Sequence, residues 1–81
     1  MKVEQLANNQ FIIVSWDKRV FQSYDTIVAV KDLVTGITTL DRENWDYSRT
    51  TGKYRNKFLG ETKQETQKKI DAGFYKLDKL N

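Results

Sequence analysis

The sequence predicts an α+β domain in which strands come first and helices follow. Residues 1–40 contain short β-branched and aromatic runs separated by turn residues, a pattern typical of an antiparallel meander. After residue 40, hydroxyl residues and glycines mark the ends of helices. At 81 residues the chain is expected to form one α+β domain, 1–81. Its small antiparallel sheet would have four to five strands, with two short helices on one face and a short C-terminal strand.

Four segments are predicted to form the meander: Phe11–Trp16, Val20–Tyr24, Thr26–Lys31 and Ile37–Leu40. The first of them is apolar on both faces, which favours a position inside the sheet. Gly36 suits a left-handed position in the loop that enters the fourth segment. Residues 2–6 give a weaker strand signal.

The first predicted helix spans about Thr51–Leu59. Ser48 is one of three hydroxyl residues able to cap its start, and Gly60 stands just past its end. Tyr54 and Phe58 lie four residues apart, so both are expected on the core face of this helix.

The second predicted helix begins with a capping box, in which Thr62 is followed three residues later by Glu65. Gly73 is expected to end this helix, and Phe74–Leu77 to form the last strand. The helix is mostly polar, so it is expected to rest lightly on the sheet.

The expected core is small, and homodimerisation is compatible with it. Its predicted members are Phe11, Ile13, Val14, Ile27, Val28, Val30, Ile37, Leu40, Phe58, Leu59, Ile70 and Leu77. Trp45 is likewise expected to be packed rather than presented.

The chain has no cysteine and no histidine, which removes disulfides and the commonest general base and zinc ligand. A cytoplasmic location suits this composition. No apolar run approaches the ~20 residues that a membrane-spanning helix needs, so no membrane association is expected.

Enzyme motifs are weak, and no activity or cofactor is expected. Ser48 has no histidine to activate it, and its proximity to Lys53 is not distinctive. A phosphate-loop motif fails because Tyr54 occupies the position where a magnesium-binding hydroxyl is required. Three carboxylates after the fourth strand are predicted to form a solvated turn: Asp41, Glu43 and Asp46.

Positive charge is concentrated in one segment. Residues 1–47 carry a net charge of −2, whereas residues 48–69 carry +5. This asymmetry indicates an anionic partner, either nucleic acid or an acidic protein surface, although a solvated helix face gives the same pattern. The candidate binding residues are Tyr47, Arg49, Lys53, Arg55, Lys57 and Lys63, with the arginines and lysines of the helix on its outer face.

A second function class is a module that binds another protein and blocks it. Its interface would use a sheet edge near Ile37–Leu40 or Phe74–Leu77, because an exposed edge accepts a partner strand. Alternatively it would use an aromatic patch made of residues common in interfaces: Phe21, Tyr24, Trp45, Tyr47 and Arg49.

Three stretches, at residues 20–29, 45–60 and 69–73, resemble a family of small uncharacterised proteins encoded by phages and mobile elements of Gram-positive bacteria. The run from Tyr47 to Thr51, with Asn56 and Phe58-Leu59 downstream, is the most specific part of the resemblance. The resemblance implies a cytoplasmic protein made in a bacterial host. In that setting the anionic partner would be nucleic acid or an acidic host protein, and the alternative would be a protein-binding inhibitor of a host defence or metabolic protein. It carries over no functional residue.

Overall fold

The structure is a computed structural model that describes all residues, 1–81. The elements in chain order are β1 (Lys2–Ala7), β2 (Gln10–Val14), β3 (Lys18–Ser23), β4 (Thr26–Asp32), β5 (Thr38–Asp41), α1 (Arg49–Leu59), α2 (Lys63–Asp71) and β6 (Tyr75–Asp78). The predicted α+β class is confirmed, with two helices and a mostly antiparallel sheet.

All six strands form one sheet, and their order in the sheet is their order in the sequence. Strands β1 to β5 pair antiparallel through short turns, whereas β6 pairs parallel to β5. A parallel neighbour needs a long crossover, which α1 and α2 provide. The edges are therefore β1 and β6. The prediction of an edge at Ile37–Leu40 is wrong because β6 pairs along β5.

The helices cover one face of the sheet, and the core lies between them. A cross-strand row runs along this face from Ile12 through Phe21 to Ala29 and Leu40. Phe58 of α1 stacks on Phe21 with 5.8 Å between ring centroids. The buried apolar residues are Ile12, Phe21, Val28, Ala29, Leu40 and Phe58.

Two of the three predicted core residues of β2 are misplaced. Phe11 and Ile13 are expected in the core, but the buried residues of this strand are Gln10 and Ile12. Val14 packs against the core as predicted. Neighbouring side chains of a strand point to opposite faces, and an apolar run does not reveal which face the helices cover. Phe21, expected in an exposed aromatic patch, is also fully buried.

The opposite face of the sheet carries no helix, and we call it the open face. One cross-strand row crosses all six strands here: Val3, Ile13, Val20, Val30, Thr39 and Lys76. Beside this row, Ile27 and Ile37, both expected in the core, line a shallow groove with Leu80. Val3 is 60% exposed, so the open face presents apolar surface to solvent.

The helix ends follow the predicted capping chemistry. Ser48 is the N-cap of α1, and its hydroxyl accepts from the Thr51 amide at 3.1 Å. Gly60 ends α1 in the left-handed region at φ 70°, where glycine is favoured. The capping box of Thr62 and Glu65 is present at the start of α2. Neither helix has the length and apolar content needed to cross a bilayer.

Asp41, at the end of β5, fixes the C-terminal segment, and its predicted place in a solvated turn is wrong. It is only 1% exposed. Its Oδ1 accepts from the Leu80 amide at 2.7 Å, and its Oδ2 accepts from the backbone and side chain of Asn44 at 2.9 and 2.6 Å. Burial by itself raises the pKa of the Asp41 carboxyl, but the hydrogen bonds from Leu80 and Asn44 outweigh it and hold that pKa below the usual 3.8.

Asp41→Asn tests this anchor through the pH dependence of stability. A lowered folded-state pKa adds stability above the unfolded pKa, and this stability is lost as pH falls through the folded value. The substituted protein should therefore be less stable than wild type at about pH 6 by about 1–3 kcal/mol, since one amide donor loses its acceptor. The difference from wild type should shrink below about pH 4 in urea unfolding curves. A difference that stays constant from about pH 6 to 2 would contradict the anchor.

Candidate functional site

The two faces of α1 divide the predicted binding residues. Thr51, Arg55 and Phe58, at spacings of four and three, are buried, and Thr51 and Phe58 contact the sheet. Thr51 also shares a 2.8 Å hydrogen bond with the Ser23 hydroxyl of β3. The residues of the outer face, at successive spacings of four, are Arg49, Lys53 and Lys57, all exposed.

Arg55 is a buried structural residue, and its predicted place on the outer face is wrong. Only 1% of its side chain is exposed. Its Nη1 donates to the Trp45 carbonyl at 2.7 Å and to Asp46 Oδ1 at 3.1 Å, and its guanidinium lies 5.2 Å from the Trp45 ring centroid. Its Nη2 donates to Asn56 Oδ1 at 3.0 Å. These contacts hold the loop before α1 against the helix.

A signal for this burial was present in the sequence. Arg55 falls on the same helical face as Phe58, three residues later, and Thr51, four residues earlier. The general preference of charged side chains for solvent pointed the other way. That preference fails here because Trp45 and Asp46 supply acceptors for the guanidinium.

The exposed cations of α1 form a line that we call the cationic ridge: Arg49, Lys53 and Lys57. None of them has a carboxylate partner. The ammonium groups of Lys53 and Lys57 lie 5.5 and 5.1 Å from the centroid of the Tyr54 ring instead. No carboxylate occurs anywhere in α1, and Arg49 occupies its first turn, where the helix dipole disfavours a cation. The ridge is therefore electrostatically uncompensated.

Lys63, at the first position of α2, is the one predicted binding residue with an exposed ion pair. Its Nζ lies 2.7 Å from Asp46 Oδ2, while 58% of its side chain is exposed. Burial raises the pKa of the Asp46 carboxyl, but hydrogen bonds from Lys63 and Arg55 outweigh it, and the pKa lies below the usual 3.8. Asp46 is therefore ionised at neutral pH and joins the two helices.

An open depression lies where the starts of α1 and α2 meet, and we call it the cationic depression. Four of the six predicted binding residues line it, with a single carboxylate. Its lining residues are Asp46, Ser48, Arg49, Gly52, Lys53, Arg55, Asn56 and Lys63. Tyr47 and Lys57 are outside it. Tyr47 is 45% exposed, and Trp45 is packed against the core as predicted.

Lys69 is not a free cation, because it forms an ion pair with Glu61, which lies between the helices. Glu61 Oε1 accepts from Lys69 Nζ and from the Tyr75 hydroxyl, both at 2.7 Å, and Glu61 Oε2 accepts from the Thr66 hydroxyl at 2.6 Å. Burial raises the pKa of this carboxyl, but the three donors outweigh it, beginning with Lys69, and the pKa lies below the usual 4.5. The contact ties α2 to β6, and it was not predicted from the sequence.

The depression offers donors of hydrogen bonds and positive charge. The Ser48 hydroxyl acts as a helix cap, in contact with the Thr51 amide. No group of three or more carboxylates is arranged to hold a metal ion. This donor set suits the binding of an anion.

The chain belongs to a family of unknown function, DUF8033, which matches residues 1–73. This membership agrees with the resemblance to an uncharacterised family. No curated protein and no solved structure matches the chain significantly. The family assigns no activity to any residue, so a functional proposal rests on the geometry of α1 and its surroundings.

Arg55→Gln is expected to lower the free energy of unfolding by about 2–4 kcal/mol, because it leaves the Trp45 carbonyl unpaired and removes one of the two cations on Asp46. Arg49→Gln is the matched control on the same helix, and should change stability by less than about 0.5 kcal/mol. Urea unfolding monitored by tryptophan fluorescence measures both. Equal effects of the two substitutions would mean that Arg55 does not anchor the loop.

Proposed function

We propose that the protein is a non-enzymatic binding module that engages nucleic acid through the cationic ridge. The observation that carries the proposal is the line of Arg49, Lys53 and Lys57, exposed, at helical spacing and without any carboxylate partner. An unpaired row of this kind has no role in holding α1 to the sheet, since Thr51 and Phe58 do so. It is the electrostatic footprint that a phosphate backbone requires.

The dimensions of the ridge suit a nucleic acid strand. From Arg49 to Lys57 the helix rises about 12 Å at ~1.5 Å per residue. A duplex strand advances ~3.4 Å per nucleotide, so the ridge spans about three to four phosphates. The sequence predicted four cations on this surface, but the burial of Arg55 leaves three. Tyr47, 45% exposed and one residue before the cap, is available for stacking on a base.

The same proposal places the protein in the cytoplasm of a Gram-positive host, as an accessory protein of a phage or mobile element. The support is the resemblance carried by the run from Tyr47 to Thr51. In that setting the partner is host or phage nucleic acid, and an acidic, nucleic-acid-mimicking protein surface would meet the same cations.

The salt dependence of binding tests the ridge. Three phosphate contacts predict a log–log slope of about −2.7 on duplex DNA, an affinity loss of about 40-fold between about 50 and 200 mM salt. Lys57→Gln should reduce the steepness of that slope by about 0.9. Fluorescence anisotropy with a labelled duplex and a labelled single strand measures both values.

The matched control is Lys18→Gln, which removes the same charge from β3, where Lys18 lines the groove of the open face. It should leave the slope unchanged. The proposal fails if neither duplex nor single strand binds at about 50 mM salt. An equal effect of the two substitutions would also contradict it.

A second candidate function is inhibition of a host protein through the open face. The row of Val3, Ile13, Val20 and Val30 leaves apolar surface uncovered, and β1 and β6 are free sheet edges. Such surfaces favour a protein partner or a second copy of the chain. The edge predicted at Phe74–Leu77 is consistent with this candidate, because β6 is a sheet edge.

Val3→Lys tests the second candidate. Val3 lies in the row, whereas Val34 lies in a loop outside it and is 71% exposed, so Val34→Lys is the matched control. Affinity capture from a nuclease-treated host lysate should retain one specific protein with wild type and the control, and lose it with Val3→Lys. Capture unaffected by Val3→Lys would exclude the open face. Size-exclusion chromatography of the same variants reports homodimerisation.

A further inference from the structure

The guanidinium of Arg55 retains unused hydrogen-bonding capacity within the cationic depression. Its Nη1 donates one hydrogen bond to the Trp45 carbonyl and one to Asp46. Its Nη2 donates to Asn56, which leaves one hydrogen without an acceptor, and its buried Nε has no acceptor. Nε and Nη2 form one edge of the guanidinium, a planar fork that matches the oxygens of a phosphate. A buried arginine edge without acceptors, in the lining of a depression, points to an anionic ligand.

Gly52 lies directly against this guanidinium. It is buried in the first half of α1, where glycine costs helix stability relative to alanine. A Cβ at this position would lie 3.5 Å from Arg55 Nη2, an ordinary contact, and Gly52 has no positive φ. Alanine would therefore fit the fold. What it would change is the depression, because a methyl group there would occupy space in its lining and lie over the guanidinium, 3.5 Å from Nη2, 3.7 Å from Nη1 and 3.8 Å from Cζ.

We propose that the cationic depression is a binding site for one phosphate monoester group, held by the exposed cations Arg49, Lys53 and Lys63 against the buried guanidinium of Arg55. This inference rests on the proposed function and names the group that the site selects. Four cations and one carboxylate leave three positive charges in the lining. A monoester carries nearly two negative charges at neutral pH, whereas a diester carries one, so the monoester gains more. Two kinds of ligand carry a group of this chemistry: the phosphorylated end of a nucleic acid strand and a free phosphate.

The test compares two single strands of one sequence, labelled at the 3′ end, with a 5′-phosphate or a 5′-hydroxyl. Wild type should bind the phosphorylated strand about tenfold more tightly, as expected for charge-assisted hydrogen bonds. Gly52→Ala should bring this ratio close to one and leave the affinity for the hydroxyl strand unchanged. Its melting temperature should equal or exceed that of wild type. Lys57→Gln should weaken both strands equally and keep the ratio, because Lys57 lies outside the depression.

Failure of the site and failure of the ridge give different results. A ratio of one in wild type, with both strands bound, overturns the phosphate site and leaves the ridge intact. If neither strand binds, the protein is titrated with inorganic phosphate and its amide chemical shifts are followed. Shifts at residues 48–55 in wild type that are absent in Gly52→Ala support the phosphate site without the ridge. The absence of any shift in wild type overturns the phosphate site. Arg49→Gln provides a second variant should Gly52→Ala melt early, and a ratio unchanged by it contradicts the site.

Discussion

The buried guanidinium of Arg55 is the group on which the arrangement of the cationic depression depends. It joins α1 to the loop before it through Trp45 and Asp46, and Asp46 in turn reaches Lys63 at the start of α2. Removing one member of a buried, hydrogen-bonded charge network is costly because the remaining groups lose their partners. The network therefore sets the relative positions of the two helix starts, and with them the shape of the cationic depression.

The two faces of the sheet differ in what packs against them. Its inner row, from Ile12 to Leu40, supplies the core against Phe58, while Asp41 and Glu61 fix the C-terminal segment and α2 by hydrogen bonds. The contacts that stabilise the fold therefore lie mostly on the face of the sheet that the helices cover. Two groups of residues take no part in these contacts: the ridge on the far side of α1 and the apolar row of the open face. This explains why there are two candidate function classes.

Local chemistry predicted the elements well, since capping, turn residues and β-branched runs act over a few residues. The capping box at Thr62 and the left-handed Gly60 are examples. The sequence did not predict that Ile12 points toward the helices or that Asp41 is buried. Both depend on distant segments, the helices for Ile12 and the C-terminal segment for Asp41. For the candidate site, the sequence located the basic segment and four lining residues of the depression. It misplaced Arg55, whose acceptors become visible only when the preceding loop folds back.

The most direct test of the binding surface is chemical-shift mapping of the isotopically labelled protein with a short 5′-phosphorylated single strand. We expect the largest amide shifts in residues 48–57 and at Lys63, with the row from Val3 to Val30 on the open face unaffected. Shifts concentrated on that row, with α1 unchanged, would contradict the assignment of binding to the cationic ridge and the cationic depression.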